Sequence, residues 1–433
     1  MPKLLYTSDD DFEERFAELL ATKRENAPDV RAAVTEIIAD ILKRGDDALI
    51  ELTSKFDQVD LTPDTLAIPS EEIDAAVARV GAEDREALEL AAKRIRAYHE
   101  RQLPEDQTWT DATGVTLGWR WTPVASAGLY VPGGLASYPS SVLMNAIPAA
   151  VAGVKHLVMT VPTPGGEVNP LVLLAARLSG VDTIYRIGGA QAIAALAYGT
   201  DTIAPVDKIT GPGNAYVAEA KRQVFGHVGI DMIAGPSEIL VIADSDNDPN
   251  WIALDLLSQA EHDESAQAIL ITPDPTMAEL VVESINAHLE VIQRRDIASA
   301  SWNNNGAVIM VQNMGEAAAL ADDIAPEHLE LCVANPESLA QNIANAGAIF
   351  LGAWTPEAIG DYVGGPNHVL PTAGSARFSS GLSVMDFMKR TTMASMTPGA
   401  LAEIGPAAAR LAESEQLEAH GLSVLARLDR LNE

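Results

Sequence analysis

The chain has 433 residues, too many for one simple core, and its 47% apolar and 21% charged side chains give an ordinary globular balance that suits two or three domains. Lys and Arg number 29 against 61 Asp and Glu, and the net charge of -32 repels phosphate backbones and anionic membranes, which argues against nucleic acid or a membrane as partner. A single cysteine, Cys332, excludes an intrachain disulfide and any thiolate-rich metal site, and fits a reducing cytoplasm.

In chain order, the opening "MPKLLYTSDDDFEERF" turns acidic too early for a signal peptide. No apolar run reaches the roughly 18 residues that a membrane helix needs, so a soluble cytoplasmic protein is expected. Residues 1 to about 103 read as helices. "VRAAVTEIIADILKRG" has apolar residues at helical spacing, Lys43 and Arg44 in its last turn, and Gly45 as a stop signal. "EDREALELAAKRIRAYHERQ" is a second long amphipathic stretch, and "VTLGWRWTPV", 115 to 124, alternates like a strand.

From about residue 126 strands alternate with helices. "SAGLYV", "HLVMTV", "TIYRI" and "KIT" form a first series, each followed by a helical stretch. "EILVIAD", "AILIT", "AVIMV", "LELCVA" and "AIFLG" form a second. Continuous apolar strands between helices predict parallel sheets covered on both faces. The fold class is therefore α/β, with lobes at roughly 129–238 and 239–381 and the leading helices placed on the second of these. The last fifty residues read as a loop and then the helix "LEAHGLSVLARLDRL".

Ligands of open parallel sheets bind beyond the carboxyl ends of strands, which draws attention to the loops that follow strands. Four are glycine-rich: "GLYVPGG" (128–134), "RIGGAQA" (186–192), "TGPGN" (210–214) and "AGPSE" (234–238). They suit close backbone approach to a phosphate at a helix N-terminus, or simply tight turns. None matches G-x-G-x-x-G.

Four stretches carry groups that could do chemistry. In "LLSQAEHDESAQA" Gln259 and His262 stand three residues apart on an apolar helix, so an amide oxygen and an imidazole face the same way. In "IAPEHLELCV" Pro326 is placed to start a helical turn, whose dipole would disfavour a protonated His328 and leave it neutral, as a general base must be, with Glu327 beside it; the stretch equally reads as a surface loop with an incidental acid–histidine pair. "IGDYVGGPNHVLPT" supplies Asp361 and His368, and "ESEQLEAHG" supplies Glu415 and His420. Gln259, His262, Asp361 and His420 together would offer a divalent first-row metal two oxygens and two nitrogens, yet they carry no spacing signature and equally read as surface polar residues. Glu415 and His420, five apart on a helix, would diverge by about 140°, unless the helix unwinds near Gly421 or docks on another subunit.

Eight motifs in order, "GLYVPGG", "GGAQA", "TGPGN", "AGPSE", "SQAEHD", "APEHLEL", "GDYVGGPNHVLPT" and "FSSGLSV", resemble the histidinol dehydrogenase family over nearly the whole chain. The resemblance implies two incomplete Rossmann-like lobes, an N-terminal helical segment and a C-terminal helical tail. It divides the chain into a helical arm (1–25), a first α/β lobe (26–128 plus 239–381), a nucleotide-contacting lobe (129–238) and a tail (382–433) that docks on the partner of a homodimer. It implies oxidation of L-histidinol to L-histidine through an enzyme-held aldehyde, with two NAD and one Zn2+ per subunit. Gln259, His262, Asp361 and His420 match the family's zinc ligands. His328 matches its base and Glu327 its water-activating residue. Ser237, His368 and Glu415 match substrate contacts, as do the base and the four zinc ligands, while Tyr130, Gln191 and Asn214 match nucleotide contacts. Glu415 and His420 would come from the partner.

Two other readings compete with histidinol oxidation. A relative could oxidise another alcohol, such as a hydroxysulfonate, although His368 and Glu415 suit a cationic amino alcohol better. A zinc hydrolase would use Glu327 on an amide with no nucleotide, and a non-enzymatic metal binder would turn over neither.

Overall fold

The protein is described by a computed structural model covering residues 1–25, 30–133, 138–233 and 235–431. Its contacts divide it into two compact units, Met1–Gln102 with Ala125–Asp386, and Leu103–Val124 with Phe387–Glu433. Among the described residues no helix is long and apolar enough to cross a membrane.

The first unit contains two all-parallel sheets. The six-stranded one runs in the order Lys3–Tyr6, Ala307–Met310, Gln267–Thr272, Glu238–Ala243, His328–Cys332, Ala348–Leu351. Its central strands are buried at every residue, as apolar runs such as "EILVIA" require when helices cover both faces. Successive side chains point to opposite faces. Leu240, Ile242, Ile269 and Ile271 join one core with Phe12, Phe16 and Leu19, while Ile239, Val241 and Leu270 join another with Leu256, Ile285 and Trp302. Each such fully buried side chain contributes about 1.5–3 kcal/mol of burial free energy.

The five-stranded sheet runs Thr183–Tyr185, His156–Thr160, Ser126–Tyr130, Lys208–Thr210, Gly229–Ile230. The two series of strands read from the sequence thus form two parallel sheets, in the α/β class expected.

Two expectations about the N-terminal part are corrected. Residues 1–25 are more than a helical arm: Lys3–Tyr6 is an edge strand paired with Ala307–Met310, followed by the helix Phe12–Glu25. Four residues with one buried side chain carry no readable period, and the pairing partner lies some three hundred positions away. The leading helices also divide between the sheets. Phe12–Glu25 packs on the six-stranded sheet, but Arg31–Arg44 and Asp46–Asp57 bury Val34, Ile38, Ile41 and Leu49 against Ile193, Leu196 and Val217 beside the five-stranded one. Ala82–Glu100 packs on the helices Pro139–Ala152 and Pro170–Ser179. An apolar stripe at helical spacing says which side is buried, and says nothing of what buries it.

The second unit is an antiparallel sheet, Met388–Ser395, Thr116–Pro123, Gln107–Thr110, with two helices, Pro398–Ser414 and Glu418–Asp429. The strand expected at 115–124 is present. The expected loop after residue 381 instead contains the strand Met388–Ser395 and the helix Pro398–Ser414. "MKRTTMAS" is almost wholly exposed and shows no apolar alternation, and Pro406 within the helix reads as a breaker.

Candidate active site

Two acidic residues and one histidine meet where two strands begin. Glu238 and His328 are the first residues of neighbouring strands, with His328 in register with Ile239. The Glu238 backbone holds both expected catalytic side chains: its N–H donates to Glu327 Oε2 at 2.9 Å, and its carbonyl accepts from His328 Nδ1 at 3.0 Å. A carbonyl can only accept, so Nδ1 carries the proton and Nε2 holds the lone pair. Nε2 is buried and has no hydrogen-bond partner among the described residues.

The reason for a neutral His328 differs from the one expected. Pro326 starts no helix. The helix Met314–Ile324 ends through Ala325 at φ +46°, and the chain passes directly into the strand His328–Cys332. Burial, not a helix dipole, pushes the imidazole down to about 4, against the pull of Asp361 and the Glu238 carbonyl. Burial likewise raises the Glu327 carboxyl well above the usual range, with Glu238, Asp361 and Glu357 adding to it and the Glu238 N–H opposing it.

Asp361 lies on the short helix Glu357–Tyr362. Burial works to raise its carboxyl, but the hydrogen bond from His368 and the nearby imidazoles of His368, His328 and His262 prevail and hold it at about 2. His368 Nδ1 donates to the Asp361 carbonyl at 3.0 Å and stands 3.5 Å from its carboxylate, while Nε2 lies 3.3 Å from Ser141 Oγ. His328 Nε2 is 4.0 Å from Asp361 Oδ1 and 3.7 Å from Glu357 Oε1. His328, Glu357 and Asp361 form a trio whose ligand atoms all lie within 4.8 Å of one another. Glu357 was not singled out from the sequence, although it stands one helical turn ahead of Asp361 and so shares its face. Burial and then Asp361 push its carboxyl up to about 8.

Gln259 is the next-to-last residue of the helix Pro249–Ala260 and is 1% exposed, with its Oε1 buried and without a hydrogen-bond partner among the described residues. His262 falls past the helix instead of within it, its N–H donating to the Gln259 carbonyl at 3.1 Å. Ser258, next to Gln259, donates to Glu357 Oε2 at 3.2 Å, so this helix meets the one that bears Asp361. His262 also lines a cavity of about 450 Å3 with Arg294, Tyr138 and Tyr362. In kind, the orphaned amide oxygen of Gln259, the His262 imidazole and the Asp361 carboxylate are donors that fit a borderline divalent ion such as Zn2+, although the cluster of ligand atoms around Asp361 is made with His328 and Glu357 and not with His262. Ser237 directly precedes the strand Glu238–Ala243, and its carbonyl accepts from the Gln267 N–H at 3.0 Å.

Glu415 and His420 belong to the second unit, where both are exposed. They do not share a helix. Glu415 caps Pro398–Ser414, Gln416 turns the chain at φ +61°, and His420 sits in the first turns of Glu418–Asp429.

The nucleotide-contacting candidates gather at the carboxyl edge of the five-stranded sheet. Tyr130 ends its strand, and its hydroxyl accepts from the Gly189 N–H at 3.1 Å. Gln191 is buried in the helix Gly189–Tyr198, and Asn214 caps Ala215–Val224 by accepting from the N–H groups of Tyr216 and Val217. Of the four glycine-rich loops, Gly134 and Ala234 lie outside the described residues. The nucleotide-contacting candidates thus stand at carboxyl ends of strands, whereas Glu238 and His328 stand at the amino ends of theirs.

Comparison with known proteins is consistent with this geometry. The sequence profile of the histidinol dehydrogenase family matches residues 20–428. Histidinol dehydrogenase of Cereibacter sphaeroides is 72% identical over 433 residues, covering 100% of both chains. That of Ruegeria pomeroyi is 71% identical over 432 residues, again covering 100% of both. The crystal structure of histidinol dehydrogenase from Elizabethkingia anophelis superposes with a TM-score of 0.95 at 38% identity, covering 100% of this chain and 99% of that one.

Proposed function

The chain belongs to the histidinol dehydrogenase family, and from that premise we propose that it oxidises L-histidinol to L-histidine in two NAD-dependent steps through L-histidinaldehyde, as the last reaction of histidine biosynthesis in the cytoplasm. The observation that carries the reading is the buried, neutral His328, whose unpartnered Nε2 faces Asp361 and Glu357.

One Zn2+ per subunit, held by Gln259, His262, Asp361 and His420 of the partner subunit, would act as a Lewis acid that takes the substrate's imidazole and amino nitrogens. NAD along the loops of Tyr130, Gln191 and Asn214 would supply the hydride acceptor for both steps. His328 Nε2 takes the alcohol proton as hydride leaves the substrate carbon, and serves again in the second oxidation. Glu327 removes a proton from the water that adds to the aldehyde, and the burial that raises its carboxyl above the usual range strengthens it as a base. Ser237, His368 and the partner subunit's Glu415 contact the substrate, with His368 also orienting Asp361. A homodimer follows from the two partner residues, and the division into an arm (1–25), a first α/β lobe (26–128 plus 239–381), a nucleotide-contacting lobe (129–238) and a partner-docking tail (382–433) is part of the same proposal.

The test is the stoichiometry of NADH formed per L-histidinol consumed, with and without a chelator. Two NADH per substrate, lost on chelation and restored by Zn2+, is the expected result. No NADH from folded, zinc-loaded protein would reject histidinol as the substrate.

A further inference from the structure

The loop Gly211–Asn214 is held by a buried ion pair that the proposed chemistry does not use. Lys221, on the helix Ala215–Val224, and Asp231, just past the strand Gly229–Ile230, pair with side-chain exposures of 2% and 1%. Between them they saturate a single peptide residue. Lys221 Nζ donates to the Gly211 carbonyl at 2.8 Å, and the Gly211 N–H donates to Asp231 Oδ2 at 2.8 Å. Gly211 itself has φ +117°, and a Cβ there would sit 2.1 Å from the Tyr130 carbonyl oxygen. The loop is therefore pressed against the backbone of Tyr130 at one end and leads to Asn214 at the other.

Removing two charges from water is expensive, and a buried pair adds little stability over well-packed apolar residues of similar volume. Its value here is geometric, because two charge-assisted hydrogen bonds with opposite polarity fix the two peptide groups that flank Gly211, one by its N–H and the other by its carbonyl. We propose that Lys221 and Asp231 are positioning residues for the dinucleotide, acting as a clamp that sets Gly211, and through it the spacing of Tyr130 and Asn214. The inference rests on the proposed NAD-dependent function and adds to it a pair that touches neither substrate nor nucleotide. The clamp has no contact with Glu327, His328 or Asp361 in the bonds it makes, so its loss should alter nucleotide binding alone.

The experiment compares the wild type with the double variant Lys221→Met/Asp231→Leu, which exchanges the pair for apolar residues and leaves no buried charge unpaired. NADH affinity is read by fluorescence titration without histidinol, and KM for histidinol, zinc content and Tm are measured alongside. The expected result is a Kd for NADH raised tenfold or more, with zinc content and KM for histidinol unchanged. An unchanged Kd in the folded variant overturns the clamp. Failure of the wild type to bind NADH overturns the dinucleotide reading, and the clamp falls with it. Should the double variant not fold, Lys221→Arg decides, since it keeps the charge but cannot reproduce the single Nζ–carbonyl bond. A raised Kd for NADH at unchanged Tm supports the clamp, and an unchanged Kd overturns it.

Discussion

His328 donates its Nδ1 proton to the backbone carbonyl of Glu238, 3.0 Å away, and this one bond decides which ring nitrogen keeps its lone pair. The partner is main chain on the adjacent strand, so the tautomer is fixed by the fold and survives any change of the Glu238 side chain. His328→Asn should keep fold and zinc while lowering turnover by about 10^2- to 10^4-fold, the usual contribution of a positioned base. Steady-state rates on L-histidinol with metal content measured in parallel check this. Near-normal turnover would remove His328 from the base role.

The roles proposed for Glu327 and His328 differ in the step that each would serve. Its carboxylate is anchored by the Glu238 N–H, and three neighbouring carboxyls crowd it. Glu327→Gln keeps the acceptor for that N–H and removes an acid whose charged form burial and its neighbours disfavour, so stability should not fall. Oxidation of L-histidinaldehyde should slow more than oxidation of L-histidinol, because only the aldehyde step consumes water. Single-turnover rates on each substrate separate the two, and an equal loss on both would count against a role in hydration.

Gln259 gives a test of the metal site that does not depend on turnover. Its buried Oε1 has no partner among the described residues, and leaving such an atom unsatisfied costs roughly 1–3 kcal/mol. Gln259→Leu should therefore raise Tm in the presence of a chelator, yet lower zinc content and abolish the further rise in Tm that zinc gives the wild type. Metal analysis and thermal melts with and without Zn2+ read both signs. A variant that binds zinc as the wild type does would exclude Gln259 as a ligand.

Much of this site is legible in the sequence as composition and not as geometry. The strands "EILVIA" and "AILIT" announce themselves because continuous apolar runs have few alternatives to a covered parallel strand. "KLLY" and "MKRTTMAS" do not, since an edge strand buries too little to leave a pattern. His328 and Glu327 stand out as an acid–histidine pair, but their confinement comes from strand pairing across some ninety residues, which no local period encodes. Glu357 was legible in principle, at i and i+4 with Asp361, and only the buried setting gives that spacing meaning. The turn at Gln416 between Glu415 and His420 left no signal, because a non-glycine residue at positive φ has no marker in sequence.

The carboxyls of Asp255 and Glu330 supply a stability test that runs opposite to ordinary acid denaturation. Burial raises Asp255 to about 6, and burial followed by Asp255 raises Glu330 well above its usual range. In the unfolded chain both ionise near pH 4. Between that point and their folded values the native state holds protons that the unfolded state has lost. Their contribution to stability is thus fully present below about pH 4 and is lost as pH rises through the folded values. Glu330→Gln removes this need for a proton: the amide carbonyl can still accept from the Glu357 N–H, now 2.5 Å from Glu330 Oε1, and the NH2 can donate to Asp255. Tm of the variant minus that of the wild type should become more positive between pH 5 and pH 8, by about 2 °C or more. Differential scanning calorimetry at the two pH values measures the gap. A gap that does not change with pH would mean that Glu330 is ionised in the folded protein and that a cation, not a proton, balances it.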